Sequence, residues 1–240
     1  MLRNNTNLST GMLSRAHSLL LNRYSLAFLY LQGDGIEIGA LHNPLRVSPR
    51  AKVRYVDRMT VADLRLQYPE LRKKKLVPVN LVADGELLES IDDSSQDFVI
   101  ANHFLEHCQN PILALENMFR VLKGEGILYL ALPDKRYTFD RERQLTSLEH
   151  LLRDYREGPG WSRQGHFLEW ATLVNGVTDR EEAEKQAEEL MAMNYSIHFH
   201  VWSQFELLEM LHMLRQQHPL DIEIMLRRKD EVIFIIRKVA

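Results

Sequence analysis

The stretch that most constrains the fold is the heptapeptide Gly35–Leu41. Its β-branched residues Ile36 and Ile38 favour an interior strand of a parallel sheet. Glu37 is costly in such a strand unless a partner compensates its charge, and Gly39 allows a sharp turn in which the backbone can approach a ligand. An acid at the tip of the first strand of an α/β sheet is typical of nucleotide-type ligand sites. The same residues could also form an ordinary strand end, so the rest of the chain must decide.

The residues that follow alternate between strand and helix patterns. Strands are predicted at Gly35–Ile38, Val53–Val56, Val77–Leu81, Phe98–Ala101 and Ile127–Leu132. Helices are predicted at Val61–Tyr68 and, with a first-turn proline, from Pro111 onward. This alternation predicts an α/β fold with a doubly wound, mostly parallel sheet.

Three further segments surround this unit. A broad apolar face predicts a helix over Leu13–Gln32, within an N-terminal helical extension (1–32) that covers an edge or face of the sheet. Residues of about 134–200 are polar and rich in aromatics, and we expect them to form a lid over the carboxyl ends of the strands. After an amphipathic helix at Val201–Gln217, the strand patterns at 221–226 and 231–237 predict an antiparallel hairpin added to the sheet.

Composition excludes several classes of protein. The 240 residues carry a formal net charge of -3, which argues against electrostatic binding of nucleic acid. Cys108 is the single cysteine, so no disulfide can form within the chain, and a reducing, cytoplasmic location is expected. No apolar run reaches the length of a membrane span, and the N-terminus does not resemble a signal peptide.

Two more acids follow the second and third predicted strands, at positions suited to binding a nucleoside. Asp57 ends the second strand about twenty residues after the Glu37 turn, the spacing at which an acid accepts ribose hydroxyls. Asp84 and Gly85 place an acid beside a glycine in the loop after the third strand.

The ordered series Glu37-Ile-Gly39, Asp57, Asp84-Gly85, Asp97–His107 and Arg120–Leu128 resembles class I S-adenosylmethionine-dependent methyltransferases, in particular the methyltransferase type 11 group. The resemblance covers roughly residues 33–133 and the C-terminal helix and hairpin. It implies a Rossmann-like, seven-stranded, mostly parallel sheet with an antiparallel C-terminal hairpin and a lid insertion after strand 5. The methyltransferase domain would then span 33–240.

The resemblance also implies roles for the cofactor-binding residues. Glu37 would hold the charged part of the methionine moiety of S-adenosylmethionine, directly or through water, and Gly39 and Ala40 would pass against the ligand. The other roles are ribose binding by Asp57, adenine binding by Asp84 with Gly85 beneath the ring, and a position near the sulfonium for Asn102 and His103. His107 is expected to form hydrogen bonds at a helix entry.

One departure from the family pattern concerns the first turn. The usual Gly-x-Gly is replaced by Gly39 followed by Ala40-Leu41-His42-Asn43, with no second glycine. We therefore expect this loop to take a different path, with His42 or Asn43 as candidate contacts for the ligand carboxylate.

The lid resembles a subset of the group in which relatives occur beside glycosyltransferases or fused to them. The matching segments are Pro133–Arg141, His166–Trp170 and His198–Trp202. This implies a saccharide or other glycan acceptor and a glycosyltransferase association.

Four lid histidines are candidates for acceptor chemistry. A hydroxyl acceptor must lose a proton, and neutral imidazole is suited to accept it near pH 7. We predict that one of His150, His166, His198 or His200 is this base, with His166 first and His150 next. His198 and His200 could instead join His150 or His166 at a metal, but no cysteine or clear carboxylate set completes such a site, and none is predicted.

The sequence thus predicts methyl transfer from S-adenosylmethionine to a small-molecule or saccharide acceptor, with an oxygen as the methylated atom. Two alternatives remain: a methyltransferase-like binding module without turnover, favoured by the missing second glycine, and a nucleotide-binding oxidoreductase, disfavoured by the hairpin and by Asp84-Gly85.

Overall fold

The computed structural model describes residues 21–239. Seven strands are β1 (Gly33–Ile38), β2 (Ala51–Asp57), β3 (Leu81–Val82), β4 (Gln96–Asn102), β5 (Leu122–Pro133), β6 (Leu220–Arg228) and β7 (Glu231–Lys238). The α-helices in this range are α1 (Arg23–Tyr30), α2 (Val61–Gln67), α3 (Pro111–Val121), α4 (Leu148–Glu157), α5 (Gly160–Glu169), α6 (Arg180–Ala192) and α7 (Gln204–Arg215).

The strands form one sheet in the order β3-β2-β1-β4-β5-β7-β6. The pairs β2–β3, β1–β2, β1–β4 and β4–β5 are parallel, whereas β7 is antiparallel to both β5 and β6. The predicted seven-stranded, mostly parallel sheet with an antiparallel C-terminal hairpin is therefore confirmed. The chain order reverses between β1 and β4, and a crevice at such a switch point is where open α/β sheets bind ligands.

Apolar side chains cover both faces of the sheet. On one face, Val99, Leu128 and Leu130 pack against residues of α3 and α7. On the other, Phe98, Ile100, Tyr129 and Ile235 pack against Leu26, Ala27 and Leu31 of the α1 region. These two layers fix the strand tips, and hence the loops that follow them, in a rigid frame.

Over residues 21–32, the N-terminal helix is shorter than the predicted helix. It begins at Arg23, because the Asn22 side chain accepts hydrogen bonds from Tyr24 and Ser25 and closes a capping box. The earlier part of the predicted helix, residues 13–20, lies outside the described residues. The helix does lie on a face of the sheet, where the Tyr129 hydroxyl donates to the Arg23 carbonyl at 3.0 Å.

The third strand was misplaced by the sequence prediction. Only Leu81–Val82 pairs with β2, rather than residues 77–81. Pro78 has no N–H to donate to a neighbouring strand. Asn80 uses its side chain as well as its backbone, accepting from the Tyr55 N–H at 2.8 Å and donating its own N–H to the Tyr55 carbonyl at 2.9 Å. Residues 77–80 therefore have a strand-like composition but lead into β3 without forming strand pairs with β2.

The lid between β5 and α7 contains α4, α5 and α6, with a π-helical turn at Trp170–Val174. It has its own apolar cluster of Phe167, Ala187, Ile197 and Phe199. Within residues 21–239, no helix combines the length and the apolar character needed to cross a bilayer.

Candidate active site

A cavity of about 510 Å³ opens at the carboxyl ends of β1, β2 and β4. Its size falls within the range of small-molecule sites. The strand tips contribute Gly39, Asp57, Asp84, Gly85 and His103 to its wall, and the lid side contributes Arg163, Phe167, Asn194, Tyr195 and Phe199. The cavity is thus enclosed by the predicted ligand loops and by the predicted lid.

The loop after β1 turns sharply at Gly39, whose φ is +65°. A Cβ on Gly39 would meet only Phe104 Cδ2, at 3.8 Å, so the backbone conformation rather than crowding requires glycine. The turn continues through Leu41, a non-glycine residue with φ of 49°. Leu41 lines the cavity, whereas Ala40 accepts the Asn43 N–H at 2.9 Å. Leu41 thus adopts the left-handed conformation in a turn that lacks the second glycine of the family pattern.

His42 and Asn43 do not line the cavity, although they are the residues that we singled out for the ligand carboxylate. The Asn43 amide lies 3.3 Å from the His42 Nε2 atom, so the two side chains contact each other.

Glu37 lies under this loop and is completely buried. Both of its carboxylate oxygens accept the Leu45 N–H, at 2.9 and 3.1 Å, and Oε1 also lies 3.4 Å from Asn102 Nδ2. Burial raises the Glu37 pKa to about 7, against the lowering effect of these hydrogen bonds. Glu37 is not part of the cavity wall, and its observed contacts fasten the loop on which a ligand would rest.

Asp57 and Asp84 reach the cavity from neighbouring strand tips. Asp57 is partly buried, and burial raises its pKa although the N–H groups of Met59 and Arg58 lower it. Asp84 is exposed, and its Oδ1 accepts the Glu86 N–H at 2.8 Å. Each carboxylate keeps further lone pairs that can accept hydrogen bonds from a ligand.

Gly85 and Phe104 form part of the cavity wall between these acids. A Cβ on Gly85 would lie 2.6 Å from Phe104 Cζ and 2.7 Å from Ile38 Cγ2. Any side chain at Gly85 would therefore displace the aromatic ring.

Asn102 and His103 follow β4 directly. The Asn102 Oδ1 atom is buried without a hydrogen-bond partner, although Asn102 is not part of the cavity wall. His103, with φ of 48°, does line the cavity. Its ring lies between Glu231, at 3.2 Å, and Glu106, at 3.5 Å. Burial lowers the His103 pKa, but hydrogen bonds and charges of the two carboxylates outweigh it and raise the pKa to about 9, so the imidazole is cationic at pH 7.

The predicted catalytic residues His150 and His166 do not reach this wall. Their Nε2 atoms lie 3.2 Å from each other, in a cluster with Asp154 and His200. His198 belongs to a different cluster, where its Nδ1 atom lies 2.7 Å from an Asp140 oxygen. His198 and His200, the pair that could have shared a metal with His150 or His166, therefore join separate groups.

Residues 33–130 match the family model described as a methyltransferase domain. This match covers the strands β1 to β4 and most of β5, about two-fifths of the chain, and agrees with the class I S-adenosylmethionine-dependent methyltransferases that the sequence resembles. S-adenosylmethionine is the methyl donor of such a domain, as the sequence predicts.

Solved structures of methyltransferases also align with the chain. A Methanosarcina mazei S-adenosylmethionine-dependent methyltransferase aligns with 19% identity and a TM-score of 0.48, over 91% of this chain and 99% of that one. An Aquifex aeolicus methyltransferase aligns with 12% identity and a TM-score of 0.45, over 95% and 98%. The chain spans 60% of the length of the CurJ carbon methyltransferase, with 12% identity, a TM-score of 0.47 and 97% of this chain covered. Comparison with the curated proteins gave no match.

The residues of the cavity fit S-adenosylmethionine chemically. Asp57 and Asp84 offer acceptors for hydroxyl and amino groups, and the open space beside Gly39 admits a ligand against the backbone. The sulfonium is cationic, and carboxylates at the wall favour it electrostatically. The donor set and the cavity volume therefore agree with the methyl donor.

Sequence reasoning missed most of the lid side of the cavity. Arg163 lies on α5, and Asn194, Tyr195 and Phe199 lie on the segment after α6. Their sequence distances from the strand tips do not predict that these residues line the cavity. His107 was assigned to a helix entry, yet it also lines the cavity; its position four residues after His103 was the available signal.

Proposed function

We propose that the chain transfers a methyl group from S-adenosylmethionine to a hydroxyl oxygen of a small-molecule or saccharide acceptor. The proposal is based on one observation: Asp57 and Asp84 at the strand tips line the same cavity as residues of the lid. The donor would occupy the strand-tip side, and the acceptor would enter against the lid. The glycan class of acceptor, and an association with a glycosyltransferase, rest on the resemblance of the lid segments.

The donor contacts follow from the positions of the strand tips. Asp57 would accept both ribose hydroxyls, Asp84 would accept the adenine amino group, and Gly85 would lie beneath the ring. Gly39 and Ala40 would place backbone against the methionine part, on a loop that Glu37 anchors. His103 would lie near the sulfonium, where Glu231 and Glu106 offset its own charge. Asn102 would act from behind the wall, through its contact with Glu37.

Aromatic and basic groups from the lid side suit a polar acceptor. Phe167, Tyr195 and Phe199 offer apolar faces and Arg163 offers hydrogen-bond donors, while Arg58 adds donors from the tip of β2. A sugar ring has both an apolar face and hydroxyl groups, so it can use both kinds of contact. Arg163 is held by the Asn194 side chain at 2.6 Å, which orients its guanidinium.

Bound S-adenosylmethionine supplies a methyl group that is already activated for transfer. The protein must align the acceptor, exclude water and remove a proton from the hydroxyl. We propose His107 for the last task, in place of His150 and His166, because His107 lines the cavity and they do not.

The hydrogen bonds of His107 suit a base. Its Nδ1 atom lies 2.9 Å from the Ile197 carbonyl, which can only accept, so Nδ1 carries the proton and Nε2 keeps a lone pair. Burial lowers the His107 pKa, although the charge of Glu106 raises it. A neutral imidazole at pH 7 is the form that can take a proton from the acceptor.

Transfer of a tritiated methyl group tests this function. The chain is incubated with methyl-labelled S-adenosylmethionine and a panel of saccharides, polyols and phenols, and labelled products are then treated with alkali. Label in an alkali-stable methyl ether supports O-methylation of a hydroxyl, whereas label in an alkali-labile product indicates a carboxyl acceptor. Tight donor binding with no label in any acceptor, including a cell extract, would favour the binding module without turnover.

A further inference from the structure

Three imidazoles and one carboxylate meet in the lid, away from the cavity wall. His150 and Asp154 lie one turn apart on α4, His166 lies on α5, and His200 lies on the extended segment before α7. One possible ligand atom from each of the four lies within 4.8 Å of the others. Three separate parts of the chain therefore converge on one point.

Three of the six distances between these atoms are close to those of a tetrahedral ion site, and the other three are below 4.8 Å. His150 Nε2 lies 3.2 Å from His166 Nε2 and 3.2 Å from Asp154 Oδ2, and His200 Nε2 lies 3.6 Å from Asp154 Oδ2. Four ligands about 2.0–2.1 Å from a central Zn²⁺ would be roughly 3.3–3.4 Å apart. These three pairs are thus close to their spacing around an ion. His200 Nε2 also lies 3.3 Å from the Gln109 carbonyl, so metal binding would replace that hydrogen bond.

The charge of Asp154 also calls for a cation. The residue is completely buried, and its Oδ2 atom has no hydrogen-bond partner. Within residues 21–239, Asp154 forms no ion pair with a lysine or arginine, and its titratable neighbours at short range are the histidines of the cluster. A buried carboxylate without a cation beside it is costly.

The second oxygen of this carboxylate is already oriented. The Ser162 hydroxyl donates to Asp154 Oδ1 at 2.9 Å. Such a hydrogen bond fixes the carboxylate and leaves Oδ2 free for an ion, as outer-shell partners do in metal sites.

We propose that His150, Asp154, His166 and His200 bind one Zn²⁺ ion in a tetrahedral site. Four protein ligands leave no open position, so the ion would be structural. It would join α4 and α5 to the segment that carries Phe199, and would thereby hold the lid over the cavity.

A second group of possible ligands, Glu106, His107 and His198, makes a useful contrast. Its carboxylate is buried as well, but His103 Nδ1 lies 3.5 Å from Glu106 Oε1. Both Glu106 oxygens lack a hydrogen-bond partner, as Asp154 Oδ2 does, but Glu106 has the cationic His103 beside it, whereas Asp154 has no such neighbour among the described residues outside its own cluster.

Titration with Co²⁺ tests the proposal without any activity measurement. The purified full-length chain is stripped with a chelator and titrated with Co²⁺, whose visible absorption reports the coordination geometry, and Zn²⁺ is then added in competition. We expect one equivalent of Co²⁺ with an intense tetrahedral spectrum, displaced by one equivalent of Zn²⁺. His166→Gln and Asp154→Asn should weaken binding about 100-fold or more, and Glu106→Gln should leave it unchanged.

Circular dichroism is recorded for each variant, and the partly exposed His150→Gln serves if a more buried substitution fails to fold. Three results would overturn the proposal: no stoichiometric binding by the wild-type chain, a weak octahedral spectrum, or folded ligand variants that bind like wild type. Loss of binding in Glu106→Gln alone would overturn it too, because the ion would then lie at the other trio.

Discussion

The Phe104 ring lies against Gly85, where a Cβ would come within 2.6 Å of Phe104 Cζ. The glycine and the aromatic side chain therefore depend on each other. Together they define the part of the cavity wall where we place the adenine ring.

Gly85→Ala should destabilise the fold by about 1–3 kcal/mol, because the added methyl group overpacks a rigid aromatic contact. The measurement is urea unfolding at pH 7. Gly165→Ala is the matched control: Gly165 lies in α5, and a Cβ there would meet nothing within 4 Å. We expect Gly165→Ala to be neutral or stabilising by up to about 1 kcal/mol.

A double variant separates this contact from a general effect of alanine. Gly85→Ala with Phe104→Leu should recover part of the lost stability, since the smaller side chain makes room. If the double variant is destabilised by the sum of the two single effects, the two residues do not interact as we describe.

Much of the sheet was predictable because its determinants are local. Apolar runs such as Phe98–Ala101 predict buried strands, and carboxyl ends of parallel strands meet at one edge. The position of Asp57 and Asp84 at one cavity follows from these two facts. The prediction of the third strand failed for an equally local reason, since Pro78 has no N–H to donate and the Asn80 side chain accepts the Tyr55 N–H.

The lid was not predictable in the same way. Asp154 is a charged residue in a helix rich in charges and looks solvent-exposed in the sequence, yet it is completely buried. The prediction that one of His150, His166, His198 or His200 is the base rested on the position of the lid over the carboxyl ends of the strands. Which of them do so depends on how α4, α5 and the segment before α7 pack, and no short-range pattern encodes that arrangement.

Glu37 should make stability depend on pH. Its pKa is about 7 in the folded chain, against an ordinary value of 4.5. The unfolded chain therefore loses this proton at lower pH than the folded chain, and stability falls as pH rises from 4.5 to about 7. The loss is about 3 kcal/mol at most.

Glu37→Gln should abolish this loss, because glutamine keeps an acceptor for the Leu45 N–H without a charge to bury. The free energy of unfolding is measured from pH 5 to 8 for wild type, Glu37→Gln and Glu89→Gln, the last removing an exposed carboxylate. Parallel curves for wild type and Glu37→Gln would show that the buried carboxylate is not responsible.

His107→Asn should reduce methyl transfer by about 10²–10⁴-fold, because it removes a general base. Asparagine keeps an N–H for the Ile197 carbonyl but lacks the basic Nε2 atom. The measurement is a single turnover with preloaded S-adenosylmethionine and an identified acceptor. His212→Asn, on the exposed side of α7, controls for loss of a histidine. A wild-type rate in His107→Asn would show that His107 is not a base, and catalysis would then rest on the alignment of donor and acceptor.

Calorimetric titration of the chain with S-adenosylhomocysteine, and separately with NAD, tests most directly whether the cavity binds the methyl donor. We compare wild type with Asp57→Asn and with Asp92→Asn, an exposed acid outside the cavity wall. Loss of charged hydrogen bonds to the ribose should cost about 1.5–3 kcal/mol. We expect one S-adenosylhomocysteine site per chain, weakened roughly 10–150-fold in Asp57→Asn, unchanged in Asp92→Asn, and no binding of NAD. Equal affinity in wild type and Asp57→Asn, or binding of NAD in place of S-adenosylhomocysteine, would contradict it.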